Sequence, residues 1–192
     1  DTTAAVSAED QASGYTFTDR ELDPSYDEST AVKISLNGSS AEVNGSGASA
    51  DGSTITISSE GTYILSGTLD DGQILVTAAD TAKVQIVLNG VSITNADGPA
   101  IYIKSGDKVF ITLADGTSNT LSDTGAAYAA ADDNTDGVVF SKSDLCFNGS
   151  GSLTVNAGYS HGIVSKDDLV VTGGTYTITA VKQGLSGKDC IR

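Results

Sequence analysis

Carboxylates at regular spacing are the residues of this chain with the most chemistry to offer. Asp144 and Asp168 stand 24 residues apart in Lys142-Ser143-Asp144-Leu145 and Lys166-Asp167-Asp168-Leu169. A third copy, Lys188-Asp189-Cys190-Ile191, follows 22 residues after the second. If equivalent positions stack, the acids form a column with Asp167 and Asp189 beside it. Carboxylates about 5 Å apart repel by several tenths of a kcal/mol in water, and more where partly desolvated. A bridging Ca2+ reverses that sign. The alternative is a ladder in which Lys142, Lys166 and Lys188 neutralise the acids, and the sequence leaves both readings open.

A second oxygen-rich stretch lies just upstream, Asp132-Asp133-Asn134-Thr135-Asp136-Gly137. Asp132, Asn134, Asp136 and Gly137 match the first half of a calcium loop, where alternating oxygens and a glycine wrap one ion. Ser143 stands where a closing glutamate would be, so an EF-hand is excluded. Asp123 and Asp144 are candidates to complete the shell, and the alternative is an acidic surface loop without metal. The candidate metal ligands are therefore Asp123, Asp132, Asn134, Asp136, Asp144, Asp167 and Asp168.

Sugar binding calls for flat aromatic rings and polar groups for hydroxyls. Tyr128, Tyr159 and Tyr102 could supply rings. His161, Lys142 and Lys166 could supply polar contacts, although a single histidine in a turn is more simply a turn residue. Catalysis is not expected. Arg20 and Arg192 are the two arginines and sit near the chain ends, and lysines paired with aspartates stay protonated, which spoils them as bases.

The charge supports a cation over a polyanion as partner. The chain carries -15, with 10 Lys and Arg against 25 Asp and Glu. Nucleic acid and anionic membrane surfaces need a basic footprint that is missing here. No apolar run reaches the roughly 18 to 20 residues of a membrane helix, so membrane insertion of this segment is not expected. Oligomeric state is left open.

The elements that would position these residues are short strands. Gly, Ser, Thr and Asn abound, Trp and Met are absent, and β-branched residues alternate with polar ones in runs of three to five, a pattern of β structure. Val84, Val109, Leu145, Leu169 and Ile191 recur at equivalent positions once the insertion Ser122 to Asp136 is set aside. Gly98, Gly137, Gly162 and Gly184 form a parallel series, read as turns needing positive φ or close backbone approach. The expected fold is all-β, a right-handed single-stranded parallel β-helix spanning residues 31–192. Residues 1–30, with eight acids and Arg20, are read as a polar leader and a segment leading into the first strand. The last copy stops at Arg192, so the domain is expected to continue in a longer protein. Cys146 and Cys190 fall about two strand spacings apart, roughly 9 to 10 Å. That is beyond the ~7 Å Cα limit for a disulfide, and two free thiols are expected.

Four strings, Asp107-Lys108-Val109-Phe110-Ile111-Thr112-Leu113, Gly137-Val138-Val139-Phe140-Ser141-Lys142-Ser143-Asp144-Leu145, His161-Gly162-Ile163-Val164-Ser165-Lys166-Asp167-Asp168-Leu169 and Gln183-Gly184-Leu185-Ser186-Gly187-Lys188, carry a resemblance. They resemble the clostridial family of carbohydrate-binding parallel β-helix domains that bind cellulose and acidic sugars. The resemblance spans roughly residues 30 to 192. It implies a pectate-lyase-like fold, bound Ca2+, a secreted or cell-surface location, and plant polysaccharide such as cellulose or polygalacturonate as partner. The function expected from it is a non-catalytic, calcium-stabilised carbohydrate-binding module. The alternatives are a structural or adhesive surface protein without a glycan ligand, and a pectate-lyase-like enzyme.

Overall fold

The computed structural model describes residues 16–128 and 135–192. The short alternating runs become strands, preceded by a single helical turn, α1 (Asp19–Leu22). In chain order the first strands are β1 (Val32–Gly38), β2 (Ala41–Asn44), β3 (Ala48–Asp51), β4 (Thr54–Ile57), β5 (Gly61–Leu69) and β6 (Gln73–Thr77). Then come β7 (Lys83–Asn95), β8 (Ile101–Ser105), β9 (Lys108–Leu113), β10 (Ser118–Asp123), β11 (Gly137–Ser141) and β12 (Asp144–Gly149). The last are β13 (Ser152–Ala157), β14 (His161–Ser165), β15 (Leu169–Val171), β16 (Thr175–Ala180) and β17 (Leu185–Gly187).

These strands form two sheets. One runs β15-β12-β9-β7-β10-β13-β16, with β5 also paired to β7, β1 to β5 and β2 to β1. The other runs β17-β14-β11-β8-β6-β4-β3. Apolar residues of one type meet across each sheet. Val84, Val109, Leu145 and Leu169 are successive parallel partners, and an isolated bridge extends the row from Leu169 to Ile191. In the second sheet Ile55, Ile74, Ile101, Val139, Ile163 and Leu185 do the same. All but Leu185 and Ile191 are fully buried, each side chain contributing about 1.5 to 3 kcal/mol.

The expected single-stranded parallel β-helix is corrected by this topology. The molecule is all-β with two mixed sheets, and neither closes into a barrel. β1 and β2 pair antiparallel, as do β3 and β4. The cause is local. Asp51 and Thr54 face each other across Gly52-Ser53, with Gly52 at φ 58°, and so tight a loop joins only antiparallel neighbours. Period-2 alternation is the same for both strand directions, so the regular spacing disclosed the parallel pairs and concealed the hairpins.

None of Gly98, Gly137, Gly162 and Gly184 has positive φ. Close approach accounts for Gly162, where a Cβ would lie 2.5 Å from the Gly184 carbonyl and 2.6 Å from Ile178 Cγ2. Three smaller apolar clusters among the described residues lie outside the main core, one of them Ile64, Val87 and Ala114 under Tyr26 and Ala31. Phe110, Cys146 and Val170 are covered by Phe17, whereas Tyr102, Phe140 and Val164 line up with half-buried Leu75.

Candidate functional site

Strand register brings the acids together. Leu145 pairs with Leu169, which sets Asp168 beside Asp144. The Asp168 N–H donates to Asp144 Oδ1 at 3.3 Å. Oxygens of Asp144, Asp167 and Asp168 lie within 4.8 Å of one another, each side chain half-buried. Burial pushes the Asp167 carboxyl up, and the nearby carboxylates of Asp144, Asp189 and Asp168 push the same way. Such a set of hard oxygens suits a divalent cation.

Part of the counter-charge comes from groups that the lysine repeat does not point to. Lys108 Nζ is 3.6 Å from Asp144 Oδ2, and the Arg192 guanidinium is 2.7 Å from Asp168 Oδ2. The Cys190 thiol donates to Asp168 Oδ1 at 3.0 Å. Lys108 was discoverable, because it occupies the register position of Asp144. Behind it stands Glu21, 1% exposed, whose carboxylate is 2.6 Å from Lys108 Nζ.

The other predicted residues lie around β11 and β14. Asp132 and Asn134 lie outside the described residues. Asp136 precedes β11, 3.5 Å from His161 Nε2 and 3.9 Å from Lys166 Nζ. His161 Nδ1 accepts the Gln183 N–H at 3.2 Å, so the ring proton belongs on Nε2, facing Asp136. Asp136 Oδ1 is buried without a hydrogen-bond partner among the described residues. The Lys166 ammonium sits 5.0 Å above the Phe140 ring, a cation–π distance. Lys142 lies in the turn after β11, its N–H bonded to the Ile103 carbonyl.

Asp123 holds a turn. It accepts the Gly125 N–H at 2.9 Å, the Gly158 N–H at 2.8 Å and the Tyr128 hydroxyl at 2.9 Å. Tyr128 is buried and its ring lies 4.7 Å from that of Tyr159. Burial first, then the Asp123 charge, raises the Tyr128 phenol far above its usual range. Tyr159 is the partly exposed member of the pair, so it is the one available to a ligand. The candidates thus separate into a carboxylate cluster at the starts of β12 and β15, and an Asp136–His161–Lys166 group near the stacked tyrosines. Cys146 and Cys190 are both free.

The sequence model of a family described as carbohydrate-binding domain-containing protein matches residues 51–192. A protein of Acetivibrio thermocellus with the same description is 42% identical over 130 residues, covering 66% of this chain and 45% of its own length. A solved chain described as the polysaccharide lyase-like protein from C. thermocellum, a gadolinium derivative, superposes with a TM-score of 0.74 at 37% identity. That superposition covers 78% of this chain and 62% of the other. The chain therefore spans less than half the length of the curated relative it matches.

Proposed function

We propose, from the premise that the chain belongs to the carbohydrate-binding domain-containing family, that this segment is a non-catalytic module for plant cell-wall polysaccharide. Calcium would stabilise it, and it would act outside the cell, where polymers too large to be taken up are met. The family match over residues 51–192 carries the carbohydrate reading. The carboxylate cluster of Asp144, Asp167 and Asp168 supports the calcium reading. Bound there, Ca2+ would relieve the repulsion among the three acids and offer remaining coordination positions to a uronate carboxylate. The residues that would hold it come from β12 and the turn before β15, with Lys108 and Arg192 supplying counter-charge from opposite sides.

A second reading is a lyase, favoured by the description of the solved neighbour as polysaccharide lyase-like. Such a reaction needs a neutral base beside the sugar carbon that loses its proton. Lys108 and Arg192 are tied to carboxylates at 2.6 and 2.7 Å, which favours their charged forms.

Retention on insoluble cellulose and on immobilised polygalacturonate, each with and without a chelator, tests the proposal. Binding that weakens with chelator is expected. Absence of retention under every condition sinks the module reading. Release of unsaturated uronides, followed by ultraviolet absorbance, would establish the lyase instead.

A further inference from the structure

Away from the acidic cluster, a cleft of about 380 Å³ opens on the outer face of β4, β6 and β8, against the loop that follows β7. Its size falls in the range of about 300 to 1,000 Å³ typical of small-ligand sites. Leu75 and Tyr102 line it, continuing the outer apolar strip of Phe140 and Val164. Asp71, Asp97, Gln73 and Lys104 supply the polar lining.

The wall is tied down by hydrogen bonds. Gln73 Nε2 and Asn95 Nδ2 both donate to the Pro99 carbonyl at 2.8 Å. The Asp97 N–H donates to Asn95 Oδ1 at 3.0 Å, and the Ala96 N–H to Asp71 Oδ1 at 3.0 Å. A wall fixed in this way loses little freedom when a ligand binds. Against this order one group stands out: the Tyr102 hydroxyl, on a residue 7% exposed, is buried without a hydrogen-bond partner among the described residues. Buried hydroxyls are rarely left unpaired unless a role compensates. The ring is held edge-on against Phe140, 5.9 Å between centroids at 71°.

We propose that this cleft is a glycan subsite for neutral, hydroxyl-rich sugar units, with Tyr102, Asp71 and Asp97 as its hydrogen-bonding groups. The proposal rests on the carbohydrate-binding reading and deepens it. The choice of sugar follows from charge. Asp71 and Asp97 accept hydrogen bonds from sugar hydroxyls and repel a uronate carboxylate, and the single Lys104 does not offset both. Acidic sugars would be left to the cation site at β12 and β15, which shares no residue with this cleft.

The test uses the full chain, with cellohexaose as the neutral probe and hexagalacturonate as the acidic one, in the presence of calcium. Tyr102→Phe deletes only the hydroxyl, and Asp97→Ala removes an exposed acceptor. Each is expected to weaken cellohexaose binding about threefold to tenfold, the loss of one hydrogen bond, and to leave hexagalacturonate binding unchanged. The Tm of Tyr102→Phe should stay level or rise, because an unpaired buried hydroxyl has been removed. Equal cellohexaose binding by the wild type and both variants overturns the proposal. So does a wild type that binds hexagalacturonate alone, and in that case the carbohydrate-binding reading survives. A wild type that binds neither sugar overturns both.

Discussion

Lys108 Nζ lies 2.6 Å from Glu21 Oε1 across 87 residues of sequence, with side chains 13% and 1% exposed. This contact fastens α1 to the starts of β9 and β12. Around it the Thr172 hydroxyl donates to the Glu21 carbonyl at 2.6 Å, Asn148 Nδ2 donates to the same carbonyl at 3.3 Å, and Arg20 reaches Gln85 Oε1 at 2.8 Å. A capping box formed by Thr18 and Glu21 holds the helical turn itself. Residues 17–23 thus lie as a strap over the Phe110–Cys146–Val170 strip, and they bring Glu21 within one side chain of the carboxylate cluster.

Removing one partner of a buried ion pair leaves the other charge uncompensated. Glu21→Gln should therefore destabilise the fold by about 3 kcal/mol, the lower end of the range for such pairs, because Asp144 still faces Lys108. Urea unfolding of the two proteins measures it. A loss below about 1 kcal/mol would class the contact with surface salt bridges and refute the strap.

Acid should act on the same contact. Burial on its own would raise the Glu21 carboxyl, but hydrogen bonds from Lys108 and Thr18 outweigh it and the net shift is downward from 4.5. A carboxyl lowered in the folded state adds stability above its unfolded value and loses it as the pH falls through the folded one. Stability should thus decline below about pH 4.5, and Glu21→Gln should show a shallower decline over that window. Thermal unfolding across the acid range compares the slopes. Parallel slopes would remove Glu21 from the acid response.

The legible parts of this molecule are those with periodic signal. The row Val84–Val109–Leu145–Leu169–Ile191 is readable because a buried parallel position tolerates little but Val, Leu and Ile. The same alignment puts Asp168 level with Asp144. The hairpins were concealed, since alternation is blind to strand direction. Glu21 was concealed for a different reason: one helical turn has no period to detect, and a lone buried acid looks like its seven acidic neighbours. Tyr128 shows a third limit. Its type suits sugar stacking, but the orientation that buries it against Asp123 is set by contacts distant in sequence.

The thiols report on the strap. Burial, reinforced by the Glu21 charge, pushes the Cys146 thiol up to about 12, and its side chain is fully buried. Thiolate is the reactive form, so iodoacetamide at neutral pH should leave Cys146 intact in the folded protein while partly exposed Cys190 is alkylated slowly. In Glu21→Gln, a loosened strap should raise the rate at Cys146 by roughly the factor that the stability loss predicts, on the order of 100-fold for about 3 kcal/mol, if local opening limits access. Peptide mass spectrometry over a time course reads both sites. Equal protection of Cys146 in the two proteins would show that residues 16–22 do not guard it.

Asp167 should change stability with opposite signs depending on calcium. Burial and three neighbouring acids hold its carboxyl above the usual range, so in the absence of metal its ionised form is a burden on the fold. Asp167→Asn should then raise stability in chelator by a few tenths of a kcal/mol, a small effect because water screens the group. The same variant gives up a ligand of the proposed cation site. Wild-type Tm should rise with calcium according to the ratio of free ion to dissociation constant, and that rise should shrink or vanish in Asp167→Asn. Lys166→Ala, which removes a contact to Asp136 rather than to the cluster, should keep the full calcium increment. A calcium response that is the same in all three proteins would place any bound ion away from Asp144, Asp167 and Asp168. A variant less stable than wild type in chelator would mean that Lys108 and Arg192 already overcompensate the cluster, which leaves no electrostatic reason for a cation there.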